Sequence, residues 1–328
     1  MPRAVLCRDL GPPESLSLEE LPSASLGAGE VRVKLEASGI NFPDTLTIFG
    51  KYQHKPPLPF IPGVESAGII TELAPDVAPP WQVGQAVITR QRSGGYAEEI
   101  VLPADRVLAL PDGFDLAEGA TFLVAAVTAY HALAQRAKLS ARERLLVHGA
   151  AGGVGLAAVE LGKLMGAEVI ATASSAAKLA VAESRGADHL IDYTKEDFVE
   201  KVRQLTDGAG VDVVYDPVGG DVLVQSLRAI AWGGRVLIIG FAGGSIPALA
   251  ANRILLKGAE VMGVRAGEAA RRNPASRHQA LDAVLAYAAA GHLKPHISHR
   301  LPLARFAEAM RLLMDRKAIG RVVLLPRG

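Results

Sequence analysis

Two rhythms of apolar and polar residues divide the chain. From Val31 to Ala37 (Val-Arg-Val-Lys-Leu-Glu-Ala) the two kinds alternate, and shorter alternations recur in Gly68–Leu73 and Ala86–Thr89. A period of two places every second side chain on one face, so these runs predict half-buried strands. Gly/Pro clusters such as Lys55–Pro62 separate them, and Gly94-Gly95-Tyr96, Pro103 and Pro111 punctuate the later ones. This predicts a small antiparallel β domain over residues 1–120. Near Leu116 the period lengthens to that of a helix. From Arg144 onward strand-type runs alternate with helical segments: Arg144–Val147, Glu168–Ala173, His189–Ile191, Val211–Tyr215, Arg235–Gly240 and Glu260–Val264. That order predicts a parallel doubly wound sheet over residues 121–265. The remainder, residues 266–328, reads as helices at Leu281–Ala290 and Ala304–Met314 and a strand at Gly320–Leu325, expected to return to the first domain. The fold class is α/β, and a chain of 328 residues suits two domains, each with its own core.

The junction of the first parallel strand and its helix carries the most chemistry. Leu145–Gly155 reads Leu-Leu-Val-His-Gly-Ala-Ala-Gly-Gly-Val-Gly, and Leu156, Val159, Leu161 and Leu164 then recur at helical spacing. A strand feeding a helix through Ala150-x-Gly152-x-x-Gly155 is a dinucleotide-binding turn with alanine in place of the first glycine. Gly152 lets the main chain approach a pyrophosphate, and Gly155 lets the helix pack close to its strand. The N–H groups of Ala151, Gly152, Gly153 and Val154 are placed to bind the anion. A tight strand-to-helix turn without a ligand has the same outline.

The next strand, Glu168–Ala173, ends where an acidic residue would hold a ribose 2′-hydroxyl. Ser174 and Ser175 stand there instead, with Lys178 one turn into the following helix. Two hydroxyls and an ammonium can bind a 2′-phosphate, and no carboxylate repels it, so NADPH is expected over NADH. The serines also suit a helix N-cap, which leaves one of them free.

Composition narrows the alternatives. Lys+Arg 35 against Asp+Glu 34 leaves no field for nucleic acid or an anionic membrane. Cys7 is the only cysteine, which excludes a disulfide framework and a cysteine metal cluster. The apolar stretch Phe122–Ala134 is interrupted and too short to span a bilayer, and the N-terminus lacks the apolar core of a signal peptide. A cytoplasmic protein is expected.

Several spaced motifs together resemble one family. Gly39-Ile-Asn41-Phe-Pro-Asp44, Pro59-Phe-Ile-Pro62-Gly63-Val-Glu65-Ser-Ala-Gly68, Ala150–Gly155 and Gly186-Ala-Asp-His-Leu-Ile-Asp192-Tyr193 are similar to the medium-chain dehydrogenase/reductase superfamily. Within it they resemble the zinc-free NADPH:quinone oxidoreductase (zeta-crystallin-like) branch, over essentially the whole chain. The resemblance implies a GroES-like catalytic β domain, a Rossmann domain, and a cofactor in the cleft between them. It also implies a homodimer in which Glu260–Val264 is the edge strand that pairs across a two-fold axis. In zinc-dependent relatives a cysteine sits where this chain has Asn41 and a histidine where it has Val64, so no bound metal is expected here. Leu46 is a departure, standing where many quinone oxidoreductases carry tyrosine.

By the same resemblance Asn41 and Thr128 contact the nicotinamide end of the cofactor, and Tyr193 lies near the 2′-phosphate. Phe241 and Ala242 follow the fifth parallel strand and Val264 ends the sixth, at the carboxyl edge where open sheets bind ligands. Asn41 also suits a plain turn before Phe42-Pro43, and Phe241 a buried wall. His292, His296 and His299 are interrupted by Pro295 and lack a matching carboxylate or cysteine, which argues against a metal site. Arg265, Arg271, Arg272 and Arg277 form a basic stretch that reads as a solvated face, though one arginine near the cleft could meet a cofactor or acyl-CoA phosphate.

Without zinc, a hydride acceptor must carry its own activation by conjugation, as quinones and α,β-unsaturated carbonyls do. The expected activity is NADPH-dependent hydride transfer to such a substrate, with Asn41 and Tyr52 as catalytic residues. Tyr52, in Gly50-Lys-Tyr52, matches the position at which related enoyl thioester reductases place their acid, and it equally suits a pocket wall. An enoyl-CoA-type reductase and a non-catalytic NADPH-binding protein are the alternatives.

Overall fold

The computed structural model describes residues 1–327. Two compact units divide it: residues 1–124 with the segment from 294 onward, and residues 125–293. The first unit begins with a hairpin of β1 (Arg3–Leu6) and β2 (Ser17–Glu20). It continues with β3 (Glu30–Gly39), β4 (Glu65–Leu73), β5 (Ala86–Arg90), β6 (Glu99–Pro103) and β7 (Val107–Ala109). The alternation read in Val31–Ala37 places Val31, Val33 and Leu35 at zero exposure, where they pack against Ile70, Val87, Leu102 and Val107. Each such side chain contributes about 1.5–3 kcal/mol relative to leaving it in water.

The second unit holds the alternating strands: β8 (Arg144–Val147), β9 (Glu168–Ala173), β10 (His189–Asp192), β11 (Val211–Asp216), β12 (Ile230–Ile238) and β13 (Glu260–Gly263). All are parallel, in the order β10-β9-β8-β11-β12-β13, so the direction of winding reverses between β8 and β11. Leu146, Ile170, Ile191, Val214 and Val236 form one core, while Leu145, Val147, Val169 and Tyr215 are equally buried. Helices cover both faces of such a sheet, which explains runs with little polar alternation. This is the α/β architecture that the sequence implies, one unit GroES-like and the other a Rossmann sheet.

The chain re-enters the first unit at Lys294 with β14 (Ile297–Pro302) and β15 (Arg321–Leu325). These extend the larger sheet to the order β14-β15-β3-β4-β5-β7, with β6 pairing β3. The β14–β15 pair is parallel, so the sheet is mixed where the sequence predicts an antiparallel one. The sequence gives no sign of β14, because Ser-His-Arg lacks apolar alternation. The return to the first unit is expected at residue 266, whereas the helices Ala266–Arg272 and Pro274–Ala289 group with the second unit. The second of these is longer than predicted: Asn273 caps it, accepting from the Ser276 N–H at 3.1 Å, and Pro274 fills the first turn. No helix among the described residues is long and apolar enough to cross a membrane.

Candidate active site

In the second unit β8 ends at Val147 and the chain turns through Gly149, whose φ of +55° suits glycine. The His148 N–H donates to Tyr215 O at 3.0 Å and the Ala150 N–H to Thr172 O at 3.1 Å, tying the turn to β11 on one side and β9 on the other. The helix Gly153–Leu164 then starts from Gly152 with no side chain capping it. First-turn N–H groups lack intrahelical partners and carry the positive end of the helix dipole, so this start suits an anion. A Cβ on Gly155 would lie 2.3 Å from Gly149 O, so helix and turn meet backbone to backbone. One on Gly152 would meet only that oxygen, at 3.4 Å. Gly152, Gly153 and Val154 remain partly exposed, and Ala151 is buried. The turn therefore has what a pyrophosphate needs: small residues, unfilled space and an uncapped helix.

Hydroxyls and an ammonium gather beside it. β9 and β10 are neighbours in register, Asp192 opposite Ala173, so the residues that follow each strand sit together. Ser175 caps the helix Ala176–Ser184, accepting from the Lys178 N–H at 3.4 Å, while Lys178 Nζ donates to Ser174 Oγ at 3.2 Å. Tyr193 follows β10, its N–H bonding Ala173 O at 3.2 Å and its side chain 46% exposed. The carboxylate of Asp192 is turned toward Thr194, whose hydroxyl donates at 2.6 Å, and these bonds hold its pKa below the usual range. The local charge therefore favours a phosphate.

Phe241 and Ala242 lie past the end of β12, locked to the turn after β11. The Ala242 N–H donates to Pro217 O at 3.0 Å and the Gly243 N–H to Val218 O at 2.7 Å. A Cβ on Gly219 would strike the Phe241 ring at 2.6 Å. Asp216 Oδ1 organises that turn by accepting from the N–H groups of Val218 (2.7 Å) and Gly219 (3.0 Å). Val264 is buried just beyond β13, its N–H on Ile238 O at 2.9 Å. Thr128 is half-buried on the helix Leu123–Tyr130. Beneath the glycine turn His148 is buried, with Nδ1 3.0 Å from Thr172 Oγ1 and Nε2 3.0 Å from Ser226 Oγ. Ser226 gives its own proton to Val222 O at 2.8 Å, so Nε2 donates and Nδ1 accepts. Burial pushes this imidazole down to about 3, leaving it neutral.

In the first unit Asn41 stands at the start of the helix Phe42–Ile48 and is buried, with its side chain fully engaged. Oδ1 accepts from Arg321 Nη2 at 2.8 Å and Nδ2 donates to Glu65 Oε1 at 3.1 Å. The same Arg321 nitrogen also pairs with Glu65 Oε1, and Glu65 Oε2 accepts from the Val124 N–H at 3.0 Å. The Asn41 N–H donates to Asp44 Oδ2 at 2.8 Å, as does the Tyr96 hydroxyl at 2.9 Å. The sequence gives Asn41 a role at the nicotinamide end but marks Asp44 and Glu65 only as parts of motifs. Arg321 lies 280 residues from Asn41, and no local signal joins them. Tyr52 is half-buried in the irregular segment after this helix, and Leu46 is half-buried within the helix. Of the three histidines, only His299 lies on a strand, β14, with Nδ1 2.8 Å from Ser298 Oγ. Among the described residues no three histidine, cysteine, aspartate or glutamate side chains form a group that could hold a metal.

Known proteins match both units. Residues 27–112 match the family described as alcohol dehydrogenase GroES-like domain, and residues 153–285 the family described as zinc-binding dehydrogenase. The chain is 38% identical to a quinone oxidoreductase-like protein 2 homolog of Nematostella vectensis, over 98% of this chain and 88% of that protein. A quinone oxidoreductase of Pseudomonas syringae pv. Tomato superposes with a TM-score of 0.90 at 32% identity, covering 99% of this chain and 100% of the other. The Escherichia coli quinone oxidoreductase complexed with NADPH also gives 0.90, at 29% identity and the same coverage. The chain belongs to the medium-chain dehydrogenase/reductase superfamily of oxidoreductases, in its quinone oxidoreductase-like branch.

Proposed function

We propose that this oxidoreductase uses NADPH, without zinc, to reduce a quinone or an α,β-unsaturated carbonyl. The observation that carries the reading is the pairing of an uncapped glycine turn with Ser174, Ser175, Lys178 and Tyr193 on the adjacent strand ends. The N–H groups of Ala151, Gly153 and Val154 would hold the pyrophosphate, while Gly152, whose own N–H donates to Gly149 O at 2.9 Å, leaves it room; the two serines, Lys178 and Tyr193 would hold the 2′-phosphate. Phe241, Ala242, Val264, Thr128 and Asn41 would frame the nicotinamide end, as the family resemblance implies. NADPH, when bound, supplies the hydride. The chain's part is to orient it, to exclude water and to deliver or steer the proton that completes the reduction, for which Tyr52 is the candidate. In the ordinary state a phenol is protonated at neutral pH and can bind or protonate a developing oxyanion. Asn41 and Val64 give no ligand pair for zinc, so the acceptor's own conjugation must spread the negative charge.

Steady-state oxidation of NADPH against a panel of quinones, enones and enoyl thioesters, in chelator, tests this. Turnover with quinones or enones is expected. Turnover confined to enoyl thioesters would replace the substrate class, and tight NADPH binding with no turnover would make the protein a binder.

A further inference from the structure

The network around Asn41 contains more acid than base. Asp44 and Glu65 are 2% and 1% exposed, and among the described residues Arg321 is the one cation that pairs with either. Its guanidinium goes to Glu65 and to Asn41, and Asp44 makes no ion pair among the described residues. Glu65 is thereby satisfied on both oxygens, by Arg321, Asn41 and the Val124 N–H. Asp44 is left with two neutral donors on one oxygen, the Tyr96 hydroxyl and the Asn41 N–H. Tyr96 is itself completely buried, so no water offsets the charge from that side. An ionised Asp44 would make the cluster a buried net anion, which is costly in a poorly polarisable interior.

We propose that Asp44 is held as a neutral carboxylic acid on the acid side of neutrality and, in that form, is the positioning residue that fixes Asn41. The carbonyl oxygen of a neutral acid still accepts from Tyr96 and Asn41, so the helix start keeps its bonds without a second buried negative charge beside Glu65. The groups that act on Asp44 are Tyr96 ahead of β6, Glu65 on β4 and Arg321 on β15, besides the Asn41 N–H of its own helix. Burial outweighs the donors and pushes its pKa up to about 7. The folded state therefore holds a proton that the unfolded chain has released above pH ~4. The stabilisation this gives is complete below that pH and is lost as pH rises through about 7.

The positioning role rests on the oxidoreductase reading above, whereas the protonation state does not. Infrared spectroscopy of the purified chain is expected to show the carbonyl stretch of a buried, protonated carboxylic acid at pH 6, and the band should titrate away with a midpoint near 7. Asp44→Asn should abolish it. Glu65→Gln should move its midpoint to lower pH, because Arg321 then becomes free to compensate Asp44. Absence of the band in the wild type, its survival in Asp44→Asn, or an unmoved midpoint in Glu65→Gln would overturn the assignment, and the wild-type titration decides even if a variant fails to fold. For positioning, NADPH–quinone turnover of the wild type should fall about tenfold per pH unit above the midpoint. Asp44→Asn, which mimics the neutral acid, should flatten that limb, and an unchanged limb would refute the role. No turnover with any acceptor at any pH would count against the oxidoreductase reading and leave the infrared result standing.

Discussion

At the scale of single residues, charge and hydrogen bonding set the choice of cofactor and the response to pH. Lys178 Nζ reaches Ser174 Oγ at 3.2 Å, so its ammonium already lies at one of the hydroxyls that would share a 2′-phosphate. One charge-assisted bond is worth about 1.5–3 kcal/mol, so Lys178→Ala should raise the NADPH KM about 10- to 100-fold and leave NADH nearly unchanged. Equal effects on both cofactors would remove the assignment. Tyr52→Phe should lower kcat for enones about 10²–10⁴-fold if the phenol is the acid, and quinone reduction much less. The difference arises because the enolate must be protonated on carbon, while a hydroquinone anion takes its proton from water. Wild-type rates with both substrates would leave Tyr52 as a wall. His148 acts on stability with a sign opposite to that of Asp44. Its folded pKa is pushed down to about 3, so below pH ~6.5 the unfolded chain binds a proton that the native imidazole refuses. Its contribution is complete above that pH and shrinks by ~1.4 kcal/mol per unit on acidification toward the folded value. Between pH 7 and 4 the opposite slope of Asp44 offsets this one, so denaturant titrations of Asp44→Asn should expose the loss on acidification, and adding His148→Gln should remove most of it.

At the scale of elements, the strand, turn and helix from Arg144 to Leu164 separate packing from binding. Gly155→Ala forces a methyl to within 2.3 Å of Gly149 O and should cost ~1–3 kcal/mol of stability through the helix–strand contact. Gly152→Ala meets that oxygen only at 3.4 Å, so it should fold with a loss within about 1 kcal/mol while weakening NADPH binding. Thermal unfolding and fluorescence titration with NADPH check the pair, and loss of stability without loss of affinity at Gly152 would argue against a pyrophosphate there. These elements were legible in the sequence because their signals are local: a glycine spacing and apolar runs with the lengths of strands and helices. The alternation of Val31–Ala37 was legible for the same reason. β14 was not, since Ser298, His299 and Arg300 break any period of two, and only pairing with β15 makes them a strand. The Asn41 cluster was half legible: Asn41 and Asp44 share one family-like motif, but Arg321 on β15 and Tyr96 ahead of β6 are brought to it by the fold. Buried polar partners at long separation leave no trace in local periodicity.

At the scale of the whole molecule, the second unit carries an apolar surface that a solitary chain would leave in water. β13 is the outer strand of the parallel sheet, with one edge of its backbone unpaired. The helix Ala251–Lys257 contributes no buried residue, and Leu255 and Leu256 are 77% and 71% exposed. Trp232 is 79% exposed, and a Cβ on Gly258 would lie 3.4 Å from its ring, so indole and helix end form one continuous patch. Exposed edges and apolar patches of this kind promote uncontrolled association unless a symmetric partner covers them. A two-fold axis beside β13 would pair the edge with its own copy and bury the leucines in the same step. We therefore expect a homodimer, as the family resemblance implies, with an interface of at least ~1,200 Å². Light scattering at micromolar concentration should return twice the chain mass. Leu255→Asp combined with Leu256→Asp should shift it toward the monomer, because two carboxylates would be forced together across the axis. A monomeric wild type, or a dimer indifferent to both aspartates, would mean that this surface is covered by something else.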